Sequence, residues 1–298
     1  MGKNQPLVSN IHDTALIFEG GGMRASYTSG FVAMLLEQRI YFDYVAGISA
    51  GSSLTVNYLS RDIARTKRSF TEFVSDPSFG DLKSWLKGEG FFNSEYIYSE
   101  APRPGGAIPY NFDAFSRNDA ECVIGAFNRD RGEVVYWRRK DYRTFDDLIL
   151  RVRASSTMPY LMPVTTIDGE DYVDGGLGSG IALDPAIEDG YRRFVFVLTR
   201  ERGFRLSPPP GPKILDALFK HRPIEGEAMM TRHIRYNETL ERIEELERQG
   251  RAYVFYPKTL DVTMMEREES KLLEQYQLGY EQAYRELPAL LEFLGMEG

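Results

Sequence analysis

Two short apolar runs near the beginning of the chain are each followed by a glycine turn and a helical pattern. The first run is Thr14–Phe18 and the second is Tyr44-Val45-Ala46. After the first turn, apolar residues recur at helical spacing, at Tyr27, Phe31, Met34 and Leu35. A second helix is predicted to begin near Ala50. Strand, turn and helix repeated in this order predict a parallel sheet with covering helices, an α/β fold.

The rest of the chain extends this pattern. Further strands are predicted at 121–127, 133–137, 164–167, 172–173, 193–199 and 252–256, the first two as an antiparallel hairpin. Helices are predicted at 145–154, 213–220 and 226–249. The last helix carries an apolar stripe that we interpret as core packing, at Leu273, Tyr276, Tyr280, Tyr284, Leu287, Leu291 and Leu294.

The domain organisation follows from the absence of an internal repeat or a linker. We expect one domain over residues 1–298, with the helical part from about 213 to 298 packed on the rest. Residues 76–118 are rich in aromatic and turn residues. This segment is interpreted either as a cap over a pocket or as a long insertion.

The charge and the cysteine content indicate which classes of binding partner and which cellular compartment to expect. The chain has 36 Lys and Arg against 44 Asp and Glu, a formal net charge of -8, which argues against nucleic acid as a partner. Contact with a membrane surface stays open, since apolar contacts can drive it. Cys122 is the only cysteine and lies in a predicted strand, as expected of a small buried hydrophobe. With neither a signal core nor an apolar run of ~20 residues, we expect a cytoplasmic protein.

Residues 47–51 read Gly-Ile-Ser-Ala-Gly and fit the nucleophile elbow pattern. A serine on a sharp strand-to-helix turn needs small neighbours, which Gly47 and Gly51 provide. The turn would place the hydroxyl of Ser49 at a helix N-terminus, where negative charge is favoured. The alternative is a serine N-cap in an ordinary turn between strand and helix.

A second glycine turn follows the first strand, at Gly20, Gly21 and Gly22. Backbone N–H groups of such a turn can hold a developing oxyanion without side-chain obstruction. Together with Ala25, the turn also matches a dinucleotide-binding fingerprint. That interpretation needs an acid at the end of the second strand, whereas Asp43 comes before that strand. Dinucleotide binding is therefore disfavoured.

Arg24 falls in the first turn of the helix that follows the glycines, where a cation opposes the helix dipole. Two interpretations remain open for this residue. It is either a surface or salt-bridged arginine, or a group that faces an anion such as a lipid phosphate.

Asp174 follows a short predicted strand and precedes two glycines. A turn-forming Asp-Gly is the alternative to a catalytic acid here. A serine nucleophile needs a base, and the histidines are His12, His221 and His233, each of which we interpret as a surface residue. The order serine, Asp174, then one of the later two histidines also matches an α/β-hydrolase triad. The early position of the elbow argues against that triad.

Taken together, these motifs resemble the patatin-like phospholipase family. The resemblance rests on the glycine run at 20–24, the elbow at 47–51, the Asp-Gly-Gly at 174–176 and the stretch 153–159, and covers about residues 14–180. It implies a three-layer α/β/α sandwich with a mainly parallel sheet. It also implies a dyad without histidine, with Ser49 as nucleophile and Asp174 as base. Ala25 departs from the glycine found in many members.

The resemblance further implies hydrolysis of lipid acyl esters, as a phospholipase A, lysophospholipase or lipid esterase, through an acyl-enzyme. The N–H groups of Gly20, Gly21 and Gly22 would form the oxyanion hole. Neither a metal nor another cofactor is required. The alternatives are a Ser-His-Asp esterase and a non-catalytic module that binds lipid or nucleotide.

Overall fold

A mixed sheet forms the centre of the protein. The structure is a computed structural model that describes residues 5–80, 91–209, 211, 215 and 217–296. Within these residues the strands are β1 (Thr14–Phe18), β2 (Tyr44–Ile48), β3 (Glu121–Asn128), β4 (Glu133–Trp137), β5 (Thr165–Ile167), β6 (Glu170–Asp174), β7 (Arg193–Val197) and β8 (Ala252–Phe255). The helices are α1 (Ala25–Glu37), α2 (Ala50–Leu59), α3 (Ile63–Ser69), α4 (Phe112–Arg117), α5 (Phe145–Ser156), α6 (Leu183–Glu188), α7 (Pro223–Arg248) and α8 (Glu269–Leu294).

Five parallel strands, in the order β8-β7-β1-β2-β3, make up most of the sheet. Strand β4 runs antiparallel to β3 and pairs with residues 124–128. Strand β6 is also antiparallel to β3 and pairs with residues 126–128, and β5 completes a hairpin with it. Since β4 occupies one edge of β3, both β2 and β6 lie along the other edge, one after the other.

This shared edge decides which residues meet. Ile48, the last residue of β2, lies opposite Gly125, and Asp174, the last residue of β6, lies opposite the adjacent Ala126. Strands β2 and β6 therefore run toward each other along β3, and their carboxyl ends meet. The residue that follows β2 and the last residue of β6 are brought together.

Helices cover both faces of the sheet, and its central strands are therefore buried on both sides. In β1, Leu16 and Phe18 contact the layer built from α1, α2, α5 and α8, whereas Ala15 and Ile17 contact α6 and α7. Cys122 is buried in β3. This confirms the predicted three-layer α/β/α sandwich with a mainly parallel sheet.

The C-terminal helix α8 packs closely on α1. A Cβ atom added at Gly279 would lie 2.0 Å from the carbonyl oxygen of Tyr27, and one added at Gly30 would lie 2.4 Å from the backbone nitrogen of Tyr280. Four members of the predicted apolar stripe pack against the core, at Tyr284, Leu287, Leu291 and Leu294. Core packing is therefore confirmed for these four residues; of the other three, Tyr276 is buried, and Leu273 and Tyr280 are half-buried outside the core clusters.

Two predicted segments fall partly outside the described residues. The helix predicted at 213–220 includes positions that lie outside them, and so does part of segment 76–118, at 81–90. The described parts of that segment pack around Phe73, Phe79 and Phe92 in a third apolar cluster beside the sheet. In the described part of the chain, no helix is both long and apolar enough to cross a bilayer.

Candidate active site

Ser49 occupies a sharp turn between β2 and α2. Its backbone has φ 57° and ψ −127°, a conformation that costs a residue with a side chain about 1–3 kcal/mol. A Cβ atom at Gly47 would lie 2.2 Å from the carbonyl oxygen of Gly51, and one at Gly51 would lie 2.4 Å from that of Phe18. Both glycines are thus required by close backbone approach. The turn presents the serine side chain at the N-terminus of α2.

Ser155, near the end of α5, stabilises this turn through hydrogen bonds to the backbone. Its Oγ accepts a hydrogen bond from the backbone N–H of Ser49 at 2.8 Å and donates one to the carbonyl oxygen of Gly125 at 2.5 Å. The Ser155 side chain is fully buried. Sequence reasoning did not assign it a role, although it lies in the 153–159 stretch that resembles the family. Only the fold reveals which backbone groups it joins.

The structure brings Ser49 and Asp174 into direct contact. The Ser49 hydroxyl donates to Oδ2 of Asp174 at 2.6 Å, within the range of a hydrogen bond to an ionised carboxylate. Oδ1 of Asp174 accepts from the N–H of Gly176 at 2.7 Å, and the N–H of Asp174 donates to the carbonyl of Thr157 at 2.7 Å. Both oxygens of the carboxylate therefore accept a hydrogen bond, and the backbone of Asp174 is fixed by a third.

Burial raises the pKa of the Asp174 carboxyl above its ordinary value. Hydrogen bonds from Ser49 and Gly176, and the charge of Arg232, oppose this effect and do not cancel it. A free aspartate, with a pKa of about 3.9, is a weak base. The environment of Asp174 therefore makes the carboxylate a stronger base than it would be in water.

The glycine turn at 20–22 lies beside Ser49. The N–H of Gly20 donates to the carbonyl of Gly180 at 3.1 Å, so this one of the three expected oxyanion donors is already engaged. A Cβ atom at Gly20 would lie 3.1 Å from Cβ of Ser49, so the glycine gives the serine room. The N–H groups of Gly21 and Gly22 have no acceptor among the described residues. These two are the available donors.

Contacts from the segments that follow β7 and β8 hold the glycine turn in place. Thr199 follows β7 and donates from Oγ1 to the carbonyl of Gly20 at 2.8 Å. A Cβ atom at Gly21 would lie 2.5 Å from that same Oγ1. Gly22 has φ +58°, and a Cβ atom there would lie 2.3 Å from the carbonyl oxygen of Met264. Glycine is therefore required at both positions.

The histidines lie away from the serine. His12 pairs with Asp43 at 3.1 Å, and His221 lines a separate surface cavity with Arg129. No histidine is among the described residues that line the cavities at Ser49. Strand β2 ends without an acid, as the argument against a dinucleotide site required. The described residues also contain no group of three or more side chains suited to a metal ion.

Ser49 lies where two cavities meet, since both are lined by Gly22, Ser49 and Met158. The apolar cavity measures about 100 Å³. Its wall includes Phe70, Phe73, Phe79, Phe92, Ile108 and Met162. The polar cavity measures about 280 Å³ and contains Asp174, the glycine turn and Arg24. Aromatic residues of the 76–118 segment thus line a pocket, as one of the two sequence interpretations required.

Arg24 faces the polar cavity and makes no ion pair with any carboxylate of the described residues. Burial, together with repulsion from Arg200, lowers the pKa of Arg24 to about 10. Its Nε is buried without a hydrogen-bond partner there. The first of the two sequence interpretations, a surface or salt-bridged arginine, does not match this environment.

Comparison with known proteins agrees with this fold. The chain is 22% identical over 196 residues to the uncharacterized protein YjjU of Escherichia coli K12, a match that covers 62% of this chain and 51% of that one. The chain thus spans about half the length of this curated relative. The crystal structure of VipD from Legionella pneumophila aligns with a TM-score of 0.50 and 15% identity, over 94% of this chain and 68% of that chain.

Two family models match separate parts of the sequence. A domain of unknown function, DUF6363, matches residues 226–295, which include most of α7 and all of α8. The model of patatin-like phospholipases matches residues 16–187, more than half of the chain, and this range includes the elbow, the glycine turn and Asp174. The chain belongs to the patatin-like phospholipase family.

Proposed function

We propose that the protein is a serine acyl-hydrolase that cleaves acyl ester bonds of lipids through a dyad of Ser49 and Asp174. Membership of a lipid acyl-hydrolase family supports the substrate class. The observation that carries the proposal is the 2.6 Å hydrogen bond from the Ser49 hydroxyl to a buried carboxylate. A serine that served only as a helix cap would not need such a partner, nor the strained backbone that presents it.

Acylation begins with the proton on the Ser49 hydroxyl. Asp174 accepts this proton through Oδ2 while the Ser49 oxygen attacks the ester carbonyl. The second oxygen of Asp174 stays bonded to the N–H of Gly176, so the carboxyl keeps its orientation as it becomes protonated. The leaving alcohol then takes the proton, and an acyl-enzyme on Ser49 remains.

The oxyanion that forms during this attack needs donors that are already in place. The N–H groups of Gly21 and Gly22 are suited to this role because no other acceptor among the described residues engages them. Each such donor contributes about 3–4 kcal/mol to catalysis in well-studied hydrolases. The N-terminus of α2, directly after Ser49, adds a favourable dipole. Gly20 acts through its lack of a side chain and not as a donor.

Deacylation repeats the same steps with water as the nucleophile. Asp174, unprotonated again after the alcohol has left, removes a proton from water as the water oxygen attacks the acyl carbonyl of the Ser49 ester. The bond between the acyl carbon and the Ser49 oxygen then breaks, Asp174 returns the proton to that oxygen, and the carboxylic acid leaves. The apolar cavity would hold the acyl chain, because its wall is built from phenylalanine, isoleucine and methionine side chains. The polar cavity would then face the leaving alcohol and the entering water.

Site-directed variants test this proposal through turnover. Hydrolysis of a p-nitrophenyl acyl ester is expected to be lost in Ser49→Ala and to fall by about 10²–10⁴-fold in Asp174→Asn, which keeps the shape of the side chain and removes the base. His221→Ala and His233→Ala are matched controls that keep most of the activity. Retained turnover in either dyad variant, or its collapse in a histidine variant, would contradict the dyad.

A further inference from the structure

Three arginines from separate parts of the chain line the polar cavity next to Ser49. Arg24 follows the glycine turn, Arg200 lies just after β7, and Arg232 lies on α7. Arg200 and Arg232 both fall beyond residues 16–187, and Arg232 belongs to the segment matched by the domain of unknown function. The C-terminal part of the chain therefore supplies positive charge to the cavity that the proposed function assigns to the leaving group.

No ion pair among the described residues compensates the charge of these arginines. The three guanidinium groups share the cavity with two carboxylates, which attract them at longer range and leave one positive charge in excess. None of the three lies within 4.0 Å of a carboxylate in the part of the chain that the structure describes. By contrast, Arg202, from the same loop as Arg200, pairs with Glu247 at 2.7 Å. Like charges gathered in a partly buried cavity repel one another. An anion in the cavity would relieve this repulsion.

The two carboxylates that line the cavity are already engaged. Glu19 accepts from the backbone N–H of Thr199 at 2.6 Å and from the hydroxyl of Tyr236 at 2.6 Å. Asp174 accepts from Ser49 and from the backbone N–H of Gly176. Neither carboxylate is available to a cationic head group, and three arginines would repel one. The cavity is therefore suited to a group with net negative charge.

Two of the guanidinium groups are held in position with donors to spare. Arg232 donates from Nε to the carbonyl of Gly176 at 2.5 Å, and its two Nη groups have no acceptor among the described residues. The guanidinium of Arg200 lies over the ring of Phe204, 4.3 Å from the ring centre, and makes no hydrogen bond there either. A planar guanidinium with free Nη groups matches phosphate oxygens in bidentate geometry.

We propose that Arg200 and Arg232, with Arg24, form a phosphate subsite on the leaving-group side of Ser49. The acyl chain lies in the apolar cavity, and the alcohol part of the substrate carries a phosphate into the polar cavity. The preferred substrates are thus acyl esters of glycerol phosphate without a cationic head group. The catalytic part of this inference rests on the proposed function, whereas the binding part does not.

Paired substrates test the selectivity. A 1-acylglycerol 3-phosphate and a monoacylglycerol with the same acyl chain differ only in the phosphate. Arg200→Gln and Arg232→Gln are each expected to lower kcat/KM for the phosphate ester at least about tenfold more than for the neutral ester. Arg202→Gln removes an arginine from the same loop outside the cavity and should leave both values within about twofold. Equal losses on both substrates in the cavity variants would overturn the proposal.

Binding tests the subsite without catalysis. Calorimetry on Ser49→Ala should detect glycerol 3-phosphate, and the further changes Arg200→Gln and Arg232→Gln should each weaken this binding about tenfold or more. If inorganic phosphate bound as tightly as glycerol 3-phosphate, the site would be one for free phosphate and not for a head group. Absence of binding would overturn the subsite. Binding without turnover in the wild type would instead contradict only the proposed function.

Discussion

The hydroxyl of Ser155 joins two backbone groups at the nucleophile turn, and its removal is expected to damage both stability and catalysis. Ser155→Ala leaves the N–H of Ser49 without its acceptor and the carbonyl of Gly125 without one of its donors. A buried polar group that loses its partner costs about 1–3 kcal/mol, so the orphaned N–H of Ser49 alone predicts a loss of about 1–3 kcal/mol. The strained backbone of Ser49 also loses the contact that helps to hold it.

Urea denaturation followed by circular dichroism measures the loss in stability, and initial rates on an acyl ester measure the catalytic effect. We expect kcat to fall about tenfold to a hundredfold because the Ser49 oxygen is no longer held in place, with KM little changed since neither cavity loses a lining residue. The matched control is Ser26→Ala on α1, where the buried hydroxyl has no partner among the described residues. That change is expected to be neutral or stabilising.

A loss below about 0.5 kcal/mol in Ser155→Ala, together with unchanged kcat, would refute the reasoning. It would mean that the turn keeps its conformation without the hydroxyl. A loss of stability with unchanged kcat would limit Ser155 to a structural role. The control separates these outcomes from a general effect of removing a buried hydroxyl.

Three further predictions concern the buried acid and the helix contact. Because burial raises the pKa of Asp174 in the folded protein, the folded state binds its proton more tightly than the unfolded state, and stability falls as pH rises through the interval between the two values. Asp174→Asn is therefore expected to have a larger free energy of unfolding than the wild type at pH 7 in urea titrations. The difference should become smaller as the pH is lowered toward about 3.9, the ordinary pKa of an aspartate. A variant less stable than the wild type at pH 7 would contradict this. The acid limb of kcat/KM should accordingly lie at a higher pH than that ordinary value, and a limb at or below it would contradict the effect of burial. Gly279→Ala should lower the free energy of unfolding by about 1–3 kcal/mol, because its Cβ would lie 2.0 Å from the carbonyl oxygen of Tyr27. The control Gln277→Ala, on the exposed side of α8, should change the stability little. Equal effects of the two changes would contradict the close packing.

Local chemistry explains why the nucleophile turn could be predicted from the sequence. A strand, two glycines and a serine within a few residues specify the turn, and the structure places Gly47 and Gly51 where a Cβ atom would collide with backbone. The strands β1 and β2 were equally visible, since strands buried on both faces are continuous apolar runs. Helix α7 begins at Pro223, a few residues before the predicted start at 226, because proline is well suited to the first turn of a helix.

The contact of Ser49 with Asp174 could be expected only through the family resemblance. Its physical cause is the pairing of β2 and β6 along one edge of β3, which places Ile48 and Asp174 opposite adjacent residues. A register of this kind depends on strands far apart in sequence, and no local pattern encodes it. The expectation of one domain over residues 1–298 likewise stays a prediction.

The roles of residues that act through tertiary contacts could not be predicted from the sequence. Ser155 is one of many serines until the fold places it under the elbow, and Arg200 and Arg232 look like ordinary surface arginines beside Arg202. The hydrogen bond from the Gly20 N–H to the carbonyl of Gly180 could not be predicted either, because the two residues meet only when the sheet has formed. A search for arginines without a nearby acid in sequence would not have found the cavity, since some arginines, such as Arg202, pair with an acid far away in sequence.

The central claim is that Ser49 is a nucleophile activated by Asp174 without a histidine. Labelling with a fluorophosphonate, followed by mass spectrometry of the digested protein, tests it most directly. We predict one adduct per chain on Ser49, a rate constant about 100-fold or more lower in Asp174→Asn, and wild-type rates in His221→Ala and His233→Ala. An adduct on another residue, or labelling of Ser49 at the wild-type rate in Asp174→Asn, would contradict the account.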